Sequence, residues 1–98
     1  MTINKTKNDS LLTIALEGRL DTITAPELEA ELKKELDGVE ELVFDFEKLE
    51  YISSAGLRVL LSTQKIMNAR GGMKVTKVNE LVNEVFEVTG FSDILTIE

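Results

Sequence analysis

DFEKLEYISSAGLRVL, residues 45–60, connects a predicted strand to a predicted helix. Just before it, the apolar run Leu42-Val43-Phe44 is typical of a buried strand. After it, residues 57–69 carry Leu and Val on more than one side, which predicts a well-buried helix that ends at Gly71-Gly72. Residues 47–56, between strand and helix, are predicted to form a loop.

Toward the N-terminus, the pattern predicts two further strands and a helix. Apolar and polar side chains alternate over residues 10–17, as in a half-buried strand. Asn8-Asp9 supplies turn chemistry, which favours a hairpin between this strand and residues 2–7. Thr24 is predicted to cap the helix that follows, with Glu27 completing a capping box.

Toward the C-terminus, residues 73–78 predict a short strand. Asn79 is expected to cap a helix that ends at Gly90. Residues 94–97 predict a last strand at the edge of the sheet. The order β-β-α-β-α-β-α-β predicts a single α/β domain over residues 1–98. We expect a mostly parallel sheet of about four or five strands with an N-terminal antiparallel strand and about three helices.

Two predicted loops, residues 18–24 and residues 47–56, follow strands of this sheet. In open α/β sheets, ligands and partners bind at the carboxyl ends of the strands, where such loops emerge. These two loops are therefore the candidate functional segments.

Composition excludes several classes of function. The chain has a net charge of −7, an isoelectric point near 4.6, no cysteine and no histidine. An acidic surface disfavours nucleic acid and anionic membranes as partners. The missing residue types exclude thiol nucleophiles, the usual zinc sites and Ser-His-Asp triads, so we expect no catalytic residue, metal or cofactor. No apolar run approaches the roughly 20 residues that span a bilayer, and a cytoplasmic location is expected.

Residues 45–60 resemble the signature of STAS domains, best known from bacterial anti-sigma factor antagonists. The upstream sequence LEGRLD, residues 16–21, is similar to the phrase at the end of that family's second strand. The order of elements matches the family over nearly the whole chain, which is expected to stop before the C-terminal helix that many members carry.

The resemblance implies that Ser54 is a phosphorylation site, because the family's phosphorylated serine lies two residues before the glycine of this motif. Many members have Asp just before that serine, whereas this chain has Ser53, so both serines remain candidates. The residues implied to line the site or to bind a partner are Asp21, Thr22, Ser53, Ala55, Gly56 and Leu57.

The resemblance also implies a partner-switching mechanism. The unphosphorylated chain would bind an anti-sigma factor and so release a sigma factor for transcription. That anti-sigma factor, itself a serine kinase using ATP and magnesium, would phosphorylate Ser54 and end the interaction. A metal-dependent serine phosphatase would reset the switch.

Each of these residues also has a structural interpretation. Ser53 and Ser54 are good helix caps, and Asp21 is a typical turn residue. Asp45, within an apolar strand, either faces solvent or hydrogen-bonds a loop, or else is a further acidic neighbour of the site, and Gly56 serves either close packing or partner contact. Phosphorylation of a serine at a helix N-terminus is electrostatically reasonable, because unpaired N–H groups and the helix dipole favour an anion there.

Three alternative functions remain open from the sequence. A STAS signalling module with an output other than a sigma factor has the same pattern. A nucleotide-binding regulatory module is less well supported, because the chain lacks both glycine-rich phosphate-binding motifs. A hydrolase with Ser54 as nucleophile has no histidine to activate that serine.

Overall fold

The computed structural model describes residues 1–98 as one four-stranded sheet with three α-helices. The elements are β1 (Thr2–Asn8), β2 (Leu11–Leu20), α1 (Ala25–Glu35), β3 (Glu41–Ile52), α2 (Ser54–Asn68), β4 (Met73–Thr76), α3 (Glu80–Thr89) and a 3₁₀ turn (Phe91–Asp93). None of the helices is long and apolar enough to cross a membrane.

The sheet has the order β1-β2-β3-β4, with β1 antiparallel to β2 and the other two pairs parallel. The predicted hairpin is present, but Asn8 ends β1 and pairs with Leu11, so the turn is Asp9-Ser10, one residue later than predicted, and Asp9 has a φ of 57°. The expected α/β architecture with an N-terminal antiparallel strand is confirmed. Because β2 and β3 are parallel neighbours, their carboxyl ends lie side by side.

Strand β3 continues through Ile52, so the prediction of a loop over residues 47–56 was wrong. The buried residues of its second half, Phe46, Leu49 and Ile52, are three apart, which hides the period-two pattern of a strand. The structural cause is irregular pairing with β2, whose register shifts twice, after Ala15 and after Gly18. Such bulges bend a strand and re-aim its side chains, often beside a functional site.

The core lies on one face of the sheet. A single cluster of 23 buried hydrophobic residues includes alternate positions of β2 and β3 together with residues of all three helices. The intervening strand positions, such as Thr13, Val43 and Thr76, are only half-buried. The helices therefore cover one face and leave the other open to solvent.

The residues that precede α1 and α3 differ in their capping bonds. Thr24 does occupy the position before α1, but its side chain makes no capping bond, so the capping box with Glu27 is wrong. Asn79 caps α3 as predicted, accepting a hydrogen bond from the Val82 N–H at 2.8 Å. The Asn79 amide also donates to the Leu49 carbonyl at 2.7 Å, which ties α3 to β3.

The predicted last strand over residues 94–97 is not formed. The chain instead makes the 3₁₀ turn after Gly90, and only Ile97 pairs with Val75, in a single parallel bridge. Only Leu95 in this segment is buried. Ile97 packs partly against the core, whereas Ile94 and Thr96 are exposed.

Candidate functional site

The candidate site lies where the carboxyl ends of β2 and β3 meet the starts of α1 and α2. Leu20 and Ile52, the last residues of the two strands, are paired. The N–H of Ser53 donates to the Leu20 carbonyl oxygen at 2.9 Å, which extends this pairing by one residue. The two segments that follow, Asp21–Thr24 and Ser53–Gly56, are therefore neighbours at one end of the sheet.

Gly56 allows α2 to start close to both strands. A Cβ atom built at this buried position would lie 2.8 Å from Ile52 Cγ1 and 2.8 Å from Leu20 Cγ, closer than such contacts occur. The packing interpretation of Gly56 is therefore supported directly. Leu57, 6% exposed, likewise belongs to the core and contributes through packing.

Ser54 is the first residue of α2 and is exposed to solvent. The first hydrogen bond of this helix runs from the Leu57 N–H to the Ser53 carbonyl oxygen at 2.9 Å. The N–H groups of Ser54, Ala55 and Gly56 precede that bond and have no partner within the helix. The Ser54 hydroxyl thus lies at the positive end of the helix dipole, where added negative charge is tolerated.

Ser53 differs from Ser54 in both accessibility and bonding. It occupies the capping position of α2 with extended backbone, yet its side chain makes no capping bond. Its Oγ atom is buried and has no hydrogen-bond partner. Its predicted role as a helix cap is therefore wrong, and its hydroxyl is much less accessible than that of Ser54.

Asp21 organises the turn between β2 and α1. Its Oδ1 atom accepts hydrogen bonds from the N–H groups of Ile23 at 3.0 Å and Thr24 at 3.1 Å. These bonds, the one from Thr24 first, lower the pKa of the Asp21 carboxyl below its usual value of 3.8. The Thr24 hydroxyl accepts from the Asp21 N–H at 2.8 Å and donates to the Arg19 carbonyl oxygen at 2.7 Å. The turn interpretation of Asp21 is confirmed.

Arg19 and Tyr51 form a contact that was not predicted from the sequence. They are paired across β2 and β3, and the Arg19 guanidinium lies 4.5 Å from the centre of the Tyr51 ring. Arg19 Nε is also 3.9 Å from Asp21 Oδ2. The stack joins the two strand ends beside the site. The register shifts of β3 conceal the pair in the sequence, because a regular parallel register would not place these residues opposite each other.

Asp45 does not belong to this site. It lies in the interior of β3, opposite Ala15 and Thr76, seven positions before the end of the strand. At about 3.3 Å per residue, that separation is roughly 20 Å. Its Oδ2 atom instead lies 3.6 Å from Lys77 Nζ. The suggestion that Asp45 is an acidic neighbour of Ser54 was therefore wrong.

A notch of about 460 Å³ opens between the starts of α1 and α2. Thr22 and Ala55, both predicted to line the site, form part of its wall, and the exposed Arg58 lies one turn further along α2. The remaining lining residues are Ala25, Pro26, Glu29, Val59 and Ser62. Ser54 does not line the notch but immediately precedes its wall residue Ala55, so the notch offers a partner a concave surface next to the start of α2.

Comparison with known proteins agrees with this architecture. The chain is 37% identical over 99 residues to BtrV of Bordetella bronchiseptica, a protein provisionally named an anti-sigma factor antagonist, and the match covers 99% of this chain and 85% of BtrV. A crystal structure of an anti-sigma factor antagonist from Mycobacterium paratuberculosis superposes with a TM-score of 0.88 at 24% identity, over 98% of this chain and 83% of that one.

The Bacillus cell fate determinant SpoIIAA, solved in its phosphorylated form, has the same fold. It superposes with a TM-score of 0.76 at 18% identity, over 99% of this chain and 91% of its own. The family model for the STAS domain matches residues 2–98. The chain therefore belongs to the STAS domain family.

Proposed function

We propose that this chain is an anti-sigma factor antagonist whose binding is switched off by phosphorylation of Ser54. The observation that carries the proposal is the exposed Ser54 hydroxyl at the unpaired N-terminus of α2, beside the notch. The name of the relative BtrV and the phosphorylated form of SpoIIAA support the same function.

Ser54 is the better acceptor of the two serines. A kinase must bring the γ-phosphate of ATP in line with the attacking oxygen, so that oxygen has to be reachable from solvent. Ser54 is exposed, whereas the Ser53 Oγ atom is buried. We therefore assign phosphorylation to Ser54 and not to Ser53.

The effect of phosphorylation on the partner is electrostatic and steric. The modification adds about −1.5 to −2 charge units and three acceptor oxygens to the centre of the docking surface. The chain already carries a net charge of −7, and the Asp21 carboxyl lies in the adjoining turn. A partner fitted to the bare hydroxyl is thus repelled without any change of fold, and a penalty of about 3 kcal/mol lowers affinity more than a hundredfold.

The chain acts as a substrate and a docking surface, and not as an enzyme. The anti-sigma factor supplies the nucleotide, the magnesium ion and the base that accepts the serine proton. A metal-dependent serine phosphatase removes the phosphate and restores binding.

Intact-mass spectrometry tests the assignment. Wild type, Ser54→Ala and Ser53→Ala are each incubated with Mg-ATP and a purified anti-sigma factor kinase from the same organism. We expect one added phosphoryl group in wild type and Ser53→Ala and none in Ser54→Ala. We also expect Ser54→Asp to bind the kinase at least about tenfold more weakly than wild type. An unmodified wild type, with the kinase active on another substrate, would contradict the proposal.

A further inference from the structure

Two large apolar side chains are much more exposed than the others. Ile23 is 81% exposed and Val88 is 87% exposed, whereas the next, Leu81, is 50% exposed. Val88 lies near the C-terminal end of α3, but Ile23 lies in the turn beside the candidate site. Single exposed apolar residues are common on protein surfaces, so the surroundings of Ile23 decide whether its exposure has a function.

The turn that carries Ile23 is held firmly in place. The Ile23 N–H donates to Asp21 Oδ1 at 3.0 Å, and the Ala25 N–H donates to the Asp21 carbonyl oxygen at 2.8 Å. The Thr24 hydroxyl bonds to the Arg19 carbonyl oxygen at 2.7 Å. These hydrogen bonds therefore hold the backbone of Ile23 at an exposed position. A turn whose backbone is fixed before binding loses little backbone entropy when a partner covers it.

Ile23 lies in the turn that adjoins the segment of Ser54 at the end of the sheet. Its neighbour Thr22 and the residue after Ser54, Ala55, line the same notch. Protein partners commonly bury about 800 Å² on each side of an interface, which is a patch far wider than one serine. A kinase centred on Ser54 therefore covers the adjoining turn as well.

We infer that Ile23 is an apolar anchor for the anti-sigma factor kinase and inserts into an apolar pocket on that partner. The inference rests on the proposed function and adds a specificity-determining residue to it. A second copy of this chain is a poorer occupant, because two chains with a net charge of −7 each repel one another. The partner pocket is thus expected to be apolar at its centre.

The test compares Ile23→Ala with the matched control Val88→Ala, using the same purified anti-sigma factor kinase. Removing about three buried carbon groups at roughly 0.8 kcal/mol each predicts a loss of affinity of about tenfold to fiftyfold for Ile23→Ala. Val88→Ala is expected to bind within about twofold of wild type. Because both side chains are exposed, neither variant should change the thermal midpoint of unfolding.

The phosphorylation kinetics provide a second readout. Ile23 does not touch the reacting oxygen, so its loss should raise the KM for this chain by about tenfold and leave kcat unchanged. If wild type binds and is phosphorylated but Ile23→Ala behaves like wild type, the anchor is wrong and the proposed function stands. If wild type neither binds the kinase nor becomes phosphorylated, the proposed function fails and the anchor fails with it.

Discussion

The two strand-to-helix junctions at the carboxyl ends of β2 and β3 differ in how their side chains bond. Both leave a parallel strand and enter a helix, and they touch through the bond from the Ser53 N–H to the Leu20 carbonyl oxygen. In the first junction, Asp21 and Thr24 use their side chains to bond the backbone of the turn. In the second, the Ser53 hydroxyl makes no hydrogen bond within the chain, and Ser54 faces solvent.

The first junction therefore has a structural role, whereas the second presents groups that a phosphate or a partner can contact. Side-chain bonds in the first junction fix the turn and so fix the position of Ile23. The second junction leaves the N–H groups at the start of α2 and the Ser54 hydroxyl without partners in the chain. A phosphate or a partner can therefore bind at the second junction without first displacing an internal hydrogen bond.

Among these positions, substitution of Gly56, which packs between the two junctions, should lower the free energy of unfolding most. Gly56→Ala places a Cβ against Leu20 and Ile52, and such overpacking costs about 1–3 kcal/mol. Alanine's better helix propensity offsets up to about 1 kcal/mol of that cost. We expect a net loss of about 1–2 kcal/mol in the free energy of unfolding, measured by urea denaturation.

Ser54→Ala is the matched control for Gly56→Ala, because its exposed side chain lies in the same turn of α2. Its free energy of unfolding should stay within about 0.5 kcal/mol of wild type. Equal stability of Gly56→Ala and wild type would show that the two strands do not approach α2 as closely as described.

Removing the Asp21 carboxylate from the first junction should lower stability by less than Gly56→Ala does, and the loss should depend on pH. Asp21→Ala deprives the Ile23 and Thr24 N–H groups of their acceptor and should lower the thermal midpoint at pH 7. The folded protein lowers the pKa of the Asp21 carboxyl below 3.8, so its stabilising effect is complete above that pH and is lost as the pH falls through the folded value. The difference between wild type and Asp21→Ala should therefore shrink in acid.

Asp37→Ala is the control for this pH series, since Asp37 is exposed and makes no side-chain hydrogen bond or ion pair. Thermal midpoints measured between about pH 2 and pH 7 distinguish the two variants. A wild-type advantage over Asp21→Ala that persists unchanged in acid would mean that the carboxylate does not hold the turn.

The smallest change in the free energy of unfolding is expected for substitution of Ser53. A capping serine normally contributes about 1 kcal/mol, but the Ser53 hydroxyl has no bond to lose. Ser53→Ala should therefore change the free energy of unfolding by less than about 0.5 kcal/mol. Asn79→Ala is the contrasting variant, because Asn79 caps α3 and also bonds Leu49, and it should cost about 1–2 kcal/mol. Equal losses in both variants would contradict the description of the Ser53 hydroxyl as free of hydrogen bonds within the chain.

Much of the fold was predictable because local patterns agree with it. Alternation in β2, the turn chemistry of Asp9 and the cap at Asn79 each depend on neighbouring residues, and each prediction was confirmed. The second half of β3 was not predictable in this way, since its bulges break the alternation. The last strand failed because its pattern did not reveal how little tertiary packing supports it.

The candidate site was predictable only in part. The topological rule for parallel sheets places the Asp21 turn beside Ser54, and that proximity is present. The stack of Arg19 on Tyr51 depends on shifted pairing, and the burial of the Ser53 hydroxyl depends on packing. Neither property can be read from residue types alone, because both are set by elements distant in sequence.

The bond from Asn79 to Leu49 has a consequence for colloidal behaviour. Strand β4 pairs with β3 only over Leu42–Asp45, so the rest of β3 presents backbone groups on that side that could template a foreign strand. The Asn79 amide occupies the Leu49 carbonyl, and the Lys77 ammonium lies 3.5 Å from Glu47 on the same stretch. We expect these two side chains, from the segment that links β4 to α3, to hinder intermolecular β-pairing at this stretch of β3.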